Sequence, residues 1–195
     1  MRTGTAINSP TFTADGEYAY NGSTNYVNTG FVPSTHAVSM TGTNLRLSVY
    51  ERTNAAAGTT YAAGTRDTST VNLEMRPRSA ASTAALNTNS GALTYTLPAD
   101  DSRGYTVESR NGAGAPPCAG DKNGVAMTQA GSVSFGTTLP TRALYVGAEN
   151  SAGTAGGFRA ATIGFVAIGA QLTAQQEADE YAAIQAYMTA IGAQV

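Results

Sequence analysis

The residues able to do chemistry in this chain are few and scattered. Paired carboxylates would serve glycoside hydrolysis, in which one acts as acid and the other as nucleophile or base. The candidates are Asp100 and Asp101 in LPADDSRG and Glu74 in VNLEMRPR. Adjacent residues on a strand point to opposite faces, and the two aspartates follow Pro98, so a solvated turn is the simpler reading. No strand-like run carries two carboxylates two or four residues apart, and Glu177 and Glu180 fall in a helical run. The one cysteine, Cys118 in GAPPCAGDKNG, can form no disulfide within the chain. As a nucleophile it would need a base, and the one histidine, His36, is distant in sequence. The same lack of a nearby histidine leaves the serines and threonines unactivated.

Metal ligation is equally thin. Asp121 and Asn123 in GDKNG could offer oxygens to calcium, but the run lacks a full ligand set. No cluster suits zinc and no phosphate-binding loop is present, so neither metal nor cofactor is expected. Sugar binding has more to draw on. There is no Trp, but there are 10 Tyr, of which Tyr18, Tyr20, Tyr61 and Tyr105 lie near turns. An aromatic platform beside polar groups suits a sugar, although packing at sheet edges explains the same tyrosines. No single ligand-binding set stands out.

Bulk composition narrows the class. Charged residues make up 12% of the 195 residues and the formal net charge is −2. Serine and threonine fill about a fifth of the chain, with 22 Gly. Such a surface is neutral and rich in hydroxyls, which suits packing against other protein or work outside a cell. No basic face for nucleic acid is indicated. No apolar run nears the roughly 20 residues that span a bilayer, and MRTGTAINSPTF lacks the apolar core of a signal peptide.

The elements that must hold these residues are mostly strands. NLRLSVYER (44–52) is the clearest: Leu45, Leu47 and Val49 face one side, Arg46, Ser48 and Tyr50 the other. Further strands are expected in 24–31, 59–66, 71–78, 91–98 (Leu93, Tyr95 and Leu97 on one face), 104–110, 123–129 and 143–149. FRAATIGFVAIG (158–169) reads as one strand or as two joined at Gly164. Asn21-Gly22, Asn111-Gly112 and Asn123-Gly124 suit tight turns. The Gly/Ala-rich 150–157 reads as a surface loop and 79–90 as a second irregular run. The spacing indicates an all-β antiparallel sandwich or barrel spanning 1–195 as one domain.

The end of the chain is different. Over about 173–191 an amphipathic helix is expected, with Thr173 and Gln176 as a capping box and Gly192 as its C′ residue. Tyr181, Ile184, Met188 and Ile191 form its apolar stripe. Gln175, Glu177, Asp179, Glu180 and Gln185 form its polar face. A helix this short needs a surface to lie on, and the sandwich supplies it.

Four phrases carry a resemblance: FTADGEYAYNGSTNYVNTGF (12–31), YTVESRNGAG (105–114), RALYVGAENSAGTAGGF (142–158) and IGFVAIGAQLTAQQEADEYAAIQAYMTAIG (163–192). Together they resemble the concanavalin A-like, laminin-G-like sandwich modules of tailed bacteriophage and prophage structural proteins. Gly22, Tyr26, Thr29, Gly30, Phe31, Pro33, Ser34 and Thr35 match the opening motif, and Ser109 and Arg110 the middle one. Leu144, Tyr145, Val146, Gly147, Ala148 and Asn150 match the third, and Ile168, Gly169, Leu172 and Thr173 the last. Gly30 and Gly147 suit strand bends or close approaches, and Tyr26 and Tyr145 would enter the core with their hydroxyls at its rim.

The resemblance implies a jelly-roll sandwich with one terminal helix. It also implies a non-catalytic virion structural protein on the particle surface: a head decoration, a head fibre or a tail-displayed subunit. Such a protein would act by protein–protein adhesion to other virion proteins and form homo-oligomers. Only eleven residues precede Phe12, so a free-standing subunit without a fibre-attachment segment is expected. The alternative is a lectin-like module that binds host-surface carbohydrate, and a weaker one is an enzyme acting on polysaccharide. No nucleic acid or membrane partner is expected. The protein would be made in the host cytoplasm without a signal peptide.

Overall fold

A computed structural model describes residues 3–13, 16–91, 93–112, 118–131 and 133–195. Ala14-Asp15 of the opening phrase, Ala92 of the 91–98 run and the 113–117 stretch before Cys118 lie outside the described residues.

In chain order the strands begin with β1 (Thr5–Ile7), β2 (Thr11–Phe12), β3 (Tyr18–Ala19) and β4 (Tyr26–Asn28), followed by the one-turn helix α1 (Pro33–His36). Next come β5 (Asn44–Glu51), β6 (Ala63–Thr68), β7 (Val71–Ala80), β8 (Thr83–Thr88), β9 (Thr94–Thr96) and β10 (Gly104–Asn111). Then follow β11 (Cys118–Lys122), β12 (Val125–Ala126), β13 (Thr128–Ala130), β14 (Tyr145–Val146), β15 (Glu149–Ser151), β16 (Thr154–Gly156) and β17 (Thr162–Gly169). Helix α2 (Ala174–Ala190) closes the chain.

The strands form a larger sheet ordered β1-β4-β14-β6-β7-β8-β9-β13, with β15 and β16 branching from β6, and a smaller sheet ordered β12-β11-β10-β5-β17-β3-β2. Pairing is antiparallel except between β15 and β6. The result is a mainly antiparallel two-sheet sandwich. Leu45, Leu47 and Val49 face Leu73, Met75, Ala84, Leu86, Leu93, Tyr95 and Leu97 across the space between the sheets. The alternation read at 44–52 therefore places its two faces correctly.

The smaller sheet also carries an apolar patch on its outer side. Tyr50, Tyr105 and Val107 point outward, and Ile184 and Met188 of α2 cover them. The helix starts as its sequence dictates: Thr173 Oγ1 accepts from Gln176 N, and Gln176 returns a bond to Thr173 N. At its end Gly192 (φ +70°) lets Ala193 N donate to Met188 O at 2.7 Å and Gly192 N donate to Thr189 O at 3.1 Å. That pair of bonds is a Schellman motif.

Several expectations need correction. Glu177 and Glu180 turn toward the sheet: Glu180 pairs with Arg46 and accepts from Ser48, and Glu177 accepts from Ser109. A carboxylate in the first two turns is drawn to donors below it more than to water above. The 150–157 stretch is the β15–β16 hairpin, turned by Ala152 (φ +50°) and Gly153 (φ +98°). The 79–90 run holds β8, whose Ala84 and Leu86 enter the core. The 123–129 stretch splits between sheets, β12 in the smaller and β13 in the larger. The 158–169 run forms one strand, β17, with a register shift around Gly164. Tyr145 is buried, as expected, and Tyr26 half-buried, but both lie outside the inter-sheet cluster; their rings pack on each other at 4.5 Å, with Phe158 at 6.2 Å from Tyr26. Their neighbours Val27 and Val146 face inward instead. Gly30 (φ +66°) has open space around it, whereas a Cβ on Gly147 (φ +81°) would sit 2.3 Å from the Tyr20 ring.

Met188 is fully buried against Tyr50, Tyr105 and Val107. Met188→Ala should cost about 2–5 kcal/mol, while exposed Tyr187→Ala should stay within about 0.5 kcal/mol. Urea unfolding of the two variants checks this; equal losses would mean that the helix does not rest on the sheet.

Candidate functional site

Most of the sequence candidates are committed to structural bonds. Asp100 takes a two-pronged ion pair from Arg78 (2.7 and 2.5 Å) and a bond from Ser82 N at 2.9 Å. Asp101 is held by Arg103 at 2.7 Å. These hydrogen bonds hold both carboxyls below the usual carboxylate range. Cys118 is buried, its thiol pushed up to about 12 by desolvation, with Thr88 Oγ1 at 3.8 Å as neighbour. His36 Nδ1 accepts from Val32 N at 2.8 Å and closes the α1 turn. Asn123 Oδ1 accepts from Tyr105 N at 2.7 Å. Among the described residues, no group of three His, Cys, Asp or Glu side chains stands together as a metal set.

Glu74 does find a second carboxylate, but from a part of the chain that the sequence reading did not consider as chemistry. It lies outward on β7, opposite Gly64 of β6, and Glu149 of β15 crosses the same glycine. A Cβ on Gly64 would lie 3.3 Å from Glu149 Cβ, so the glycine makes room for the second side chain. Arg66 Nε lies 2.9 Å from Glu149 and 3.5 Å from Glu74, and Asn87 donates to Glu74 at 2.8 Å. Burial, then the Glu74 contact, pushes Glu149 up to about 8. A second carboxylate beside a buried carboxyl disfavours its charged form.

The concave site lies elsewhere, under the first half of α2. A cavity of about 310 Å³ opens between the helix and the outer face of the smaller sheet. Tyr105 and Val107 of β10 form its floor, Asp121 and Gly124 of the β11–β12 hairpin one wall, and Glu177 and Tyr181 of α2 the other. The cavity exists because small residues face one another across it: Ala119 and Ala126 on the sheet, Ala174 and Ala178 on the helix. The Tyr105 and Tyr181 ring centroids are 5.8 Å apart at 40°. The hairpin turn is the Asn123-Gly124 pair anticipated from sequence, with φ of +52° and +77°. A Cβ on Gly124 would lie 3.0 Å from the Tyr181 ring, so glycine also seats that ring. Burial raises Asp121, opposed by bonds from the Gly124 and Val125 amides. The structure thus joins Tyr105 and Asp121, both singled out from sequence, with Tyr181 and Glu177, which had been assigned to opposite faces of the helix. Their shared wall follows from the helix's own phase: Glu177, Tyr181 and Ile184 fall at the i, i+4, i+7 spacing of one face.

No helix among the described residues is long and apolar enough to cross a membrane. No family model matches this chain, and no curated protein does. Among solved structures, domain 4 of AbnA, a GH43 extracellular arabinanase from Geobacillus stearothermophilus in complex with arabinotriose, is similar. It has a TM-score of 0.50 and 15% identity, over 90% of this chain and 86% of that one. The leech intramolecular trans-sialidase, complexed with 2,7-anhydro-Neu5Ac, is similar at a TM-score of 0.41 and 10% identity, over 88% of this chain and 27% of that one. The first likeness shows a shared sandwich fold.

The Glu149 value sets a pH dependence. Its folded-state pKa, about 8, exceeds the ordinary 4.5. The folded chain therefore holds a proton that the unfolded chain releases, and stability falls as pH rises from about 4.5 to about 8. Glu149→Gln should flatten this decline. Thermal melts at pH 5 and pH 8 should show wild type losing more on alkalinisation than the variant, and equal losses would contradict the raised Glu149 pKa.

Proposed function

We propose that this chain is a non-catalytic glycan-binding sandwich whose site is the cleft between α2 and the smaller sheet. One observation carries the reading. Two tyrosine rings and two carboxylates converge on a cavity of about 310 Å³. A sugar ring has apolar C–H faces that pack on aromatic rings and hydroxyls that donate to carboxylate oxygens. The volume falls at the lower end of the range for small-ligand pockets, about 300–1,000 Å³, and fits one or two sugar units better than a long chain.

The fold shared with the arabinanase domain supports the reading, and that domain's own complex makes arabinotriose a sensible first ligand. The resemblance to tailed-phage modules supports the finer part of the proposal. That part comprises jelly-roll connectivity, display on a virion as head decoration, head fibre or tail subunit, contacts with other virion proteins, and self-association. The neutral exterior favours protein adhesion of this kind. Many of the few charged side chains are paired or buried, such as Glu51 with Arg159 at 2.5 Å, both fully buried. Fixed-stoichiometry co-purification with phage particles tests the virion placement.

Isothermal titration with arabinotriose and a panel of neutral oligosaccharides tests the binding site. Saturable binding should weaken about tenfold or more in Tyr181→Ala, a loss of about 1.4 kcal/mol. Asp121→Asn, which keeps an oxygen for the hairpin amides, should weaken it less. Absence of saturable binding across the panel, or undiminished binding in Tyr181→Ala with α2 still docked, would overturn the proposal.

A further inference from the structure

The outer face of the larger sheet holds a second polar cluster that the cleft does not use. Arg76 of β7 lies with its guanidinium 5.2 Å from the centroid of the Tyr61 ring. Its Nε has no hydrogen-bond partner and, among the described residues, it forms no ion pair. The neighbouring Arg66 is ion-paired to Glu149 and bonded to Ser151 Oγ at 3.1 Å, and its side chain remains about one-third exposed. Among the described residues, the carboxylates beside Arg66 are Glu74 and Glu149. Two guanidinium groups thus stand beside two carboxyls, and burial favours the protonated form of Glu149. With Glu149 protonated, the cluster carries one positive charge in excess.

A guanidinium held over an aromatic ring is pre-positioned by the attraction of the ring's π face. An unpaired guanidinium in that setting is a ready partner for a planar anion. We propose that Arg76, with Arg66 beside it, forms a second binding site on the larger sheet for an anionic group, the carboxylate or sulfate of an acidic sugar or the same anion free in solution. The site stands apart from the cleft under α2 and shares no residue with it.

Titration of the full chain with a uronic-acid-terminated oligosaccharide, its neutral counterpart and inorganic sulfate tests the proposal. The acidic ligand should bind about tenfold or more tightly than the neutral one. Binding tighter than sulfate assigns the site to a sugar-borne anion, and equal binding to the free anion; both support the site. Arg76→Met, which keeps an apolar stem over Tyr61, should abolish the preference, whereas Tyr181→Ala should leave it intact. Should Arg76→Met fail to fold, Ser151→Asp places a competing carboxylate beside Arg66 and should weaken anion binding. The groups facing the anion are Glu74 and Arg76 from β7, Arg66 from β6, Glu149 from β15 and Tyr61 just before β6. Affinity should therefore fall between pH 6 and pH 9 as Glu149 gives up its proton, and Glu149→Gln should remove that fall. No binding of either anion, or binding unchanged in the folded Arg76→Met or Ser151→Asp variant, overturns the proposal.

Discussion

Ile184 and Met188 closing over Tyr50, Tyr105 and Val107 is the contact on which the rest of the molecule turns. Strand β5 sends Leu45, Leu47 and Val49 into the inter-sheet core, while its Tyr50 joins Tyr105 and Val107 of β10 in an apolar patch that looks outward. A sheet exposed in that way would present an aggregation-prone patch. Covering it contributes roughly 1.5–3 kcal/mol for each large side chain buried. The Arg46–Glu180 pair and the Ser109–Glu177 bond fix where along the sheet the helix settles. The C-terminal half of α2 seals tightly because its contact residues are large. The N-terminal half stands over alanines and glycines, and the gap left there is the cleft.

A low charge count is a statement about the whole chain, and the fold sharpens it. Glu51 and Arg159 are fully buried as a pair, and Glu17, also fully buried, takes Arg52 at 2.5 Å. Arg110 is buried with its Nη1 donating to the carbonyls of Gly42, Thr88, Asn89 and Gly136, so one side chain ties several loops together. Glu108 lies between the sheets, pushed up to about 7 by burial, and accepts from Tyr95 Oη at 2.8 Å. Such groups are costly to strand without partners, so each fixes its surroundings. They leave the exterior poorer in charge than the composition suggests. The Arg66–Arg76 cluster on the outer sheet face stands out against that background.

The sequence made some of this legible and hid the rest for physical reasons. Local rules held where local geometry decides: the alternation at 44–52, the Thr173–Gln176 capping box, the Gly192 terminus and the Asn123-Gly124 turn. Period-2 alternation separates two faces of a strand but does not say which face looks inward, so Tyr26 and Tyr145 were read into a core whose inter-sheet cluster includes neither. The β15–β16 hairpin turns on Ala152-Gly153, a pair with a weaker turn signal than Asn-Gly, and so read as a loop. Glu149 meets Glu74 only through the pairing of β15 with β6, a long-range register that no local motif announces. The cleft is defined by what is missing, small side chains on two elements far apart in sequence, and small residues in a Gly- and Ala-rich chain give no warning.

The most direct test of the account is an amide-resolved NMR titration of the isotope-labelled chain with a short oligosaccharide that binds it. Saturable shifts confined to the 119–126 hairpin, the start of β10 and the first two turns of α2 are the predicted result. Saturable shifts centred on any other face, with those segments unmoved, would contradict it.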